Sequence, residues 1–146
     1  MPGSDHDAAA DPLPDRHPPR HGRVDYRDTG DVRADLREQF VRSSAALLSP
    51  EIWPVYRAVI IAAQDDDALR ERLNQQFLAV IEKRTLDRLT SAQRAGELIA
   101  DTDLTYSAEI LCGALYYRGL LSTRPIDEAA IDGLLDMFMA AYSASP

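Results

Sequence analysis

Cysteine and histidine, the side chains that most often serve as nucleophile, general base or transition-metal ligand, are few and poorly placed for chemistry. The only cysteine is Cys112, and the three histidines, His6, His17 and His21, all fall in the opening stretch of the chain. A thiol or serine nucleophile needs an adjacent base, and the segment that reads as folded has no histidine to supply one. His17 and His21 are four apart, a spacing that would align two metal ligands on a helix. Pro18 and Pro19 between them forbid that helix, and Asp15 adds only a weak third ligand. Asp65, Asp66 and Asp67 carry enough charge for a cation, yet consecutive carboxylates before a helix more often cap it and oppose its dipole. There is no glycine-rich phosphate loop, zinc-type spacing or paired-carboxylate motif. These residues imply neither an enzyme, a cofactor nor a metal site, and Cys112 is expected to be a small core residue.

The elements that would position a binding site follow from composition and periodicity. The chain has 146 residues, enough for one domain, with a formal charge of -8. Five of the nine prolines and all three histidines lie in residues 1–30, which hold few apolar side chains. That stretch is expected to be a disordered tail, because it cannot bury enough apolar surface to offset chain entropy. Residues 31–146, about half apolar, are expected to form a single helical domain. A lone thiol, no signal-peptide pattern and no apolar run long enough to span a bilayer point to the cytoplasm and exclude a membrane role. The acidic balance argues against nucleic-acid binding by charge. Even the tail's Arg16, Arg20, Arg23 and Arg27 are outnumbered by its aspartates, so no specific DNA binding by this chain alone is expected.

The fold class is all-α, with five helices. Asp31 caps the first, whose apolar face runs through Val32, Leu36, Phe40 and Leu47 and stops at Ser49-Pro50. The second carries Ile52, Trp53, Tyr56, Val59 and Ile60, with Pro54 either in its first turn or kinking it. The acidic triplet caps the third and longest, through Leu69, Leu73, Phe77, Val80 and Ile81 to a left-handed stop at Gly96. Asp103 caps the fourth, which ends before Pro125, and Asp127 caps the fifth, with Ile126 and Ile131 spaced as a hydrophobic staple.

The last two helices are apolar beyond what one core contact requires. Ile110 to Tyr117 is apolar all the way round, and Ile131, Leu134, Leu135, Met137, Phe138, Met139 and Tyr142 form a wide stripe. A central helix buried in its own bundle would explain the first. A two-fold homodimer explains both at once, with Leu115, Tyr117, Leu121, Ile131, Leu134, Leu135, Phe138 and Tyr142 in the seam and Gly113, Gly119 and Gly133 allowing close approach.

Arg94-Ala95-Gly96-Glu97-Leu98, Asp101-Thr102-Asp103 and the run from Ala108 to Arg118 together resemble the C-terminal regulatory domain of tetracycline-repressor (TetR) family transcriptional regulators. Pro125-Ile126-Asp127-Glu128, Ile131 and Leu134-Leu135-Asp136 are similar to that family's final helix, and Asp31 to Leu36 to the helix after its DNA-binding head. The resemblance covers about Thr29 to Tyr142. It implies that the first four helices enclose a ligand cavity and the last two build a homodimer. It also implies a helix-turn-helix head of about fifty residues ahead of this domain, where this sequence has thirty residues broken by prolines. The head is therefore expected to be absent, through truncation, a lost reading frame or a natural headless relative.

A cavity of that kind would be outlined by Trp53, Tyr56, Ile60, Phe77, Ile81, Tyr106, Ile110 and Tyr116, aromatic and aliphatic groups with a few polar handles. Ordinary core packing accounts for any one of them singly. Arg57 shares a face with Trp53 and Ile60 and could neutralise an acidic ligand, although arginine is more often solvated. The expected function is a small-molecule-sensing and dimerisation domain for a small apolar or aromatic ligand. The alternative is a headless helical module that pairs with intact regulators without binding a ligand.

Overall fold

The computed structural model describes residues 27–144, so the expectation for most of the 1–30 tail lies outside the described residues. The helices are α1 (Val32–Leu47), α2 (Trp53–Ala62), α3 (Asp67–Leu73), α4 (Ala79–Ala95), α5 (Leu104–Leu120) and α6 (Glu128–Tyr142). Apart from an isolated antiparallel bridge between Leu98 and Ser143, no strand pairing occurs among the described residues.

Four aspartates set the helix starts. Asp31, Asp66, Asp103 and Asp127 each accept the N–H of the third helical residue, at 2.9 Å in every case. Each such cap is worth about 1 kcal/mol. Helix α2 has no side-chain cap, and Pro54 sits in its first turn, where its missing N–H costs nothing. Gly96, at φ 80°, ends α4. The N–H groups of Gly96 and Glu97 there fold back onto the carbonyls of Gln93 and Ala92 at 3.1 and 2.9 Å.

The long third helix expected from the sequence is interrupted. A π-helical turn, Asn74–Leu78, joins α3 to α4. Leu69, Leu73 and Leu78 all pack in the cluster around Tyr56, and the step from 73 to 78 is one residue too long for a regular α-helix. The wider turn supplies that residue. Phe77, which a regular helix would have turned inward, is left half exposed.

The main core gathers Val32, Leu36 and Phe40 of α1, Leu89 and Ala92 of α4, Ala108 and Leu111 of α5, and Ile131, Leu135 and Phe138 of α6. At its centre lies a charge. Arg88 has no exposed surface; its Nε donates to Asp35 Oδ2 at 2.8 Å and its Nη2 to Glu97 Oε1 at 3.1 Å. Glu97 also accepts the Val32 N–H at 2.6 Å, and Asp35 accepts the Thr29 N–H and hydroxyl at 3.0 and 2.7 Å. Asp28 stands 3.5 Å from Arg88 and accepts the Ser91 hydroxyl. Burial opposes ionisation of Asp35, but the Thr29 and Arg88 hydrogen bonds outweigh it and hold the carboxyl below its ordinary range. Along the rim, Arg37 bonds Asp132 and Glu128 while Arg33 bonds Asp136 and Asp132, tying α1 to α6.

Replacing Arg88 by Met should therefore leave two carboxylates without their cation and cost about 3–5 kcal/mol in urea unfolding. Because the native Asp35 pKa is depressed, its stabilisation is complete above the ordinary carboxylate range and is lost as pH falls through the native value. Unfolding free energy should drop below about pH 4, and Asp35→Asn should flatten that acid limb.

Candidate functional site

Where the C-terminal end of α1 meets the start of α2, the core opens into a cavity of about 90 Å³. Phe40, Ser43, Ser44, Leu47 and Leu48 form the α1 side. Trp53 of α2, Ile81 of α4 and Ile126 before α6 close it, with Cys112, Leu115 and Tyr116 of α5. The Ser49-Pro50 break creates this hollow: the Ser49 carbonyl takes the Ile52 and Trp53 N–H groups, at 3.2 and 3.0 Å, and turns the chain so that Trp53 faces back across the end of α1. Gly119 gives the indole its room, since a Cβ there would lie 3.0 Å from the Trp53 ring.

Tyr116 is anchored from behind. Its hydroxyl and that of Tyr56 are 2.8 Å apart. The Tyr56 ring also lies 6.2 Å from Trp53 of the wall and 6.1 Å from the half-exposed Phe77, at the centre of an aromatic cluster. Burial pushes both phenols above their usual value, which keeps them protonated as hydrogen-bond donors at neutral pH. Burial likewise raises the Cys112 thiol, which contacts Thr85 Oγ1 at 3.9 Å. A thiol so shifted is a weak nucleophile. No group of three or more potential metal ligands occurs among the described residues.

Of the expected pocket residues, Trp53, Ile81 and Tyr116 line the cavity. Tyr56 stands behind Tyr116, and Ile60 packs in the Tyr56 cluster. Arg57 is exposed and is not in the wall, so the acidic-ligand reading loses its cation. Phe77 is rotated outward by the π-helical turn. Tyr106 and Ile110 are a correction: both are exposed, because they lie on the face of α5 opposite Cys112 and Tyr116. Sequence reasoning missed Phe40, Ser43, Ser44, Leu47, Leu48, Cys112 and Ile126. The pair of serines interrupting an otherwise apolar face of α1 was the available signal.

The expected seam divides in two. Ile131, Leu135 and Phe138 are buried in the protomer's own core, Tyr142 stacks on Phe138 at 5.0 Å, and Leu115 lines the cavity. Ile131, Leu135 and Phe138 present no free surface to a partner, because periodicity alone cannot say which neighbour covers an apolar face, whereas Leu115 and Tyr142 are half-buried. Tyr117 and Leu121 do remain exposed, in line along α5 with Tyr106, Ile110 and Gly113. Across a groove, Leu134 is half-buried and Met137 is 75% exposed, beside Gly133. A Cβ on Gly113 or Gly133 would meet nothing in the protomer.

A family model described as tetracyclin repressor-like, C-terminal domain, matches residues 26–138. Among solved structures, the chain is similar to the TetR family transcription regulator SCO0332, with 30% identity and a TM-score of 0.70. That match covers 83% of this chain and 65% of the other, so the chain spans just under two thirds of that regulator. No match is found among curated proteins.

Two substitutions probe the cavity wall. Tyr116→Phe removes the bond to Tyr56 and should lower stability by about 1 kcal/mol, read by thermal unfolding. Gly119→Val should cost about 1–3 kcal/mol by overpacking and shift the Trp53 fluorescence, whereas Gly113→Ala should leave that emission unchanged.

Proposed function

The chain belongs to the tetracyclin repressor-like C-terminal domain family, and on that premise we propose that it is the small-molecule-sensing and dimerising part of a transcriptional regulator. The cavity between α1, α2, α4 and α5 carries this reading. Its wall is almost wholly apolar, with a few hydroxyls, as suits a site that holds a small ligand by burial and orients it by hydrogen bonds. A pairing module without a ligand would leave that hollow without a role.

Typical ligand clefts enclose roughly 300–1,000 Å³, more than this cavity offers. Ligand entry would therefore spread the helices around it, selecting a conformation in which α1 and α4 stand further apart at their cavity ends. Displacement of α1 reaches Asp28 and Thr29 through Asp35 and Arg88. In a regulator of this kind, the segment ahead of this domain leads to the part that reads DNA. The domain itself has no DNA role in this proposal.

Homodimerisation rests on the outer faces of α5 and α6. Tyr106, Ile110, Tyr117 and Leu121 form one exposed stripe, with Met137 beyond the groove. Such a row of large apolar groups, flanked by glycines that admit close helix approach, suits an isologous four-helix seam. The cytoplasm is the compartment consistent with contact to DNA; no helix among the described residues is long and apolar enough to cross a membrane.

The chain should sediment as a dimer at micromolar concentration. Met137→Asp should give a monomer of unchanged helicity, since the side chain touches solvent in the protomer. A monomeric unmodified chain would refute the seam. A thermal-shift screen of small aromatic molecules should find a rise that grows with the logarithm of concentration, worth about 2.7 kcal/mol at a hundredfold excess over Kd. Complete silence across such a screen would count against the sensing role.

A further inference from the structure

No charged side chain lines the cavity. Burial raises the Cys112 thiol and the Glu82 carboxylate adds a smaller push in the same direction, while Arg57 lies out in solvent. An anion would enter without a counter-charge and against a carboxylate. A cation would lose its hydration without a carboxylate in the wall. Ser44 stands in that wall and is nine-tenths buried; its hydroxyl bonds to no other described residue and, not being fully enclosed, stays accessible. A serine hydroxyl offers both a donor and an acceptor, and leaving it unpaired in an apolar pocket is unfavourable. It is satisfied by a ligand that brings one hydroxyl group of its own.

Building on the sensing role proposed above, we infer that the cavity takes an uncharged, single-ring molecule bearing one hydroxyl group, and that Ser44 reads that group. The volume favours the smallest ring: about 90 Å³ is less than the roughly 150 Å³ that holds benzene, so even one ring must spread the helices a little and a fused polycycle would need far more room. Tyr116, held by Tyr56, fixes the opposite wall, so the ring lies among Trp53, Phe40 and Ile81 while its hydroxyl faces α1.

The chain reports on this site without labelling. Trp53 is its single tryptophan and Cys112 its single cysteine, and both are in the wall. The test titrates the full chain with p-cresol, toluene, benzoate and benzylammonium, following Trp53 emission and the rate of Cys112 alkylation by N-ethylmaleimide. p-Cresol should saturate both signals about fivefold more tightly than toluene, the factor that one net hydrogen bond gives, while the two ions should change neither. Ser44→Ala should keep toluene binding and erase the p-cresol advantage. Binding of benzoate or benzylammonium as tight as p-cresol, or an unchanged cresol-to-toluene ratio in Ser44→Ala, would overturn this inference while leaving a ligand cavity in place. Saturation by none of the four would overturn both the inference and the sensing reading.

Discussion

A guanidinium held without solvent in the middle of a small domain must be met by carboxylates, and the arrangement of this fold follows from how Arg88 is met. Asp35 fixes the first turns of α1 against α4, and Glu97 fixes the turn that leaves α4. Each carboxylate also accepts a backbone N–H, Asp35 from Thr29 and Glu97 from Val32. The charge is therefore locked to two segments of main chain as well as to two side chains. A buried ion pair of this kind adds little net stability over an apolar substitute, but breaking one half of it is costly. What it confers is a single register between α1 and α4. The Asp132 and Glu128 contacts to Arg37 extend that register to α6.

Helix α4 runs from this fixed end to a softer one. Ile81, Thr85 and Arg88 lie on successive turns of one face. Arg88 is held by ions, Thr85 by Gln39 at 3.0 Å, and Ile81 only by the apolar wall of the cavity. Restraint thus falls off along the helix, from directional bonds to contacts that can slide. A two-faced α5 closes the soft end. Its inner face supplies Cys112, Leu115 and Tyr116 to the cavity, while its outer face carries Tyr117 and Leu121. One rigid rod therefore touches both the hollow and the exposed stripe.

The helix boundaries were legible because they are written locally: an aspartate at each capped start, proline in the first turn of α2, glycine at the end of α4. The π-helical turn was not, because Leu69, Leu73 and Phe77 keep a regular spacing and only the packing of Leu78 against the Tyr56 cluster shows that the period fails. Arg88 was equally hidden, since an arginine on an amphipathic helix reads as solvated until Asp35 and Glu97 are brought to it by the fold. The cavity was half legible. Large aromatics on successive helices announced a hollow, but which ones reach it depends on the crossing of helix ends, and that crossing swapped Tyr106 and Ile110 for Ser43, Ser44 and Leu48. The wide stripe of α6 divides in the fold in a way that periodicity could not show, with Ile131, Leu135 and Phe138 in the protomer's own core and Gly133 and Met137 on its outside.

The turn after α4 also gathers distant parts of the chain. Glu97 receives the start of α1 through its carboxylate and, through its carbonyl, the Ala144 N–H at 3.0 Å, while Ile99 N–H meets the Tyr142 carbonyl at 3.0 Å. The beginning and end of the described fold are both pinned to this one turn, and Asp28 lies alongside on Arg88 and Ser91. The helical domain is in effect a closed ring with its join at Glu97. Chain connectivity there is interchangeable with hydrogen bonding, which makes the domain a natural scaffold for circular permutation: a short linker can bridge the join, and new ends can open in the exposed loop around Thr123 and Arg124 without disturbing the core.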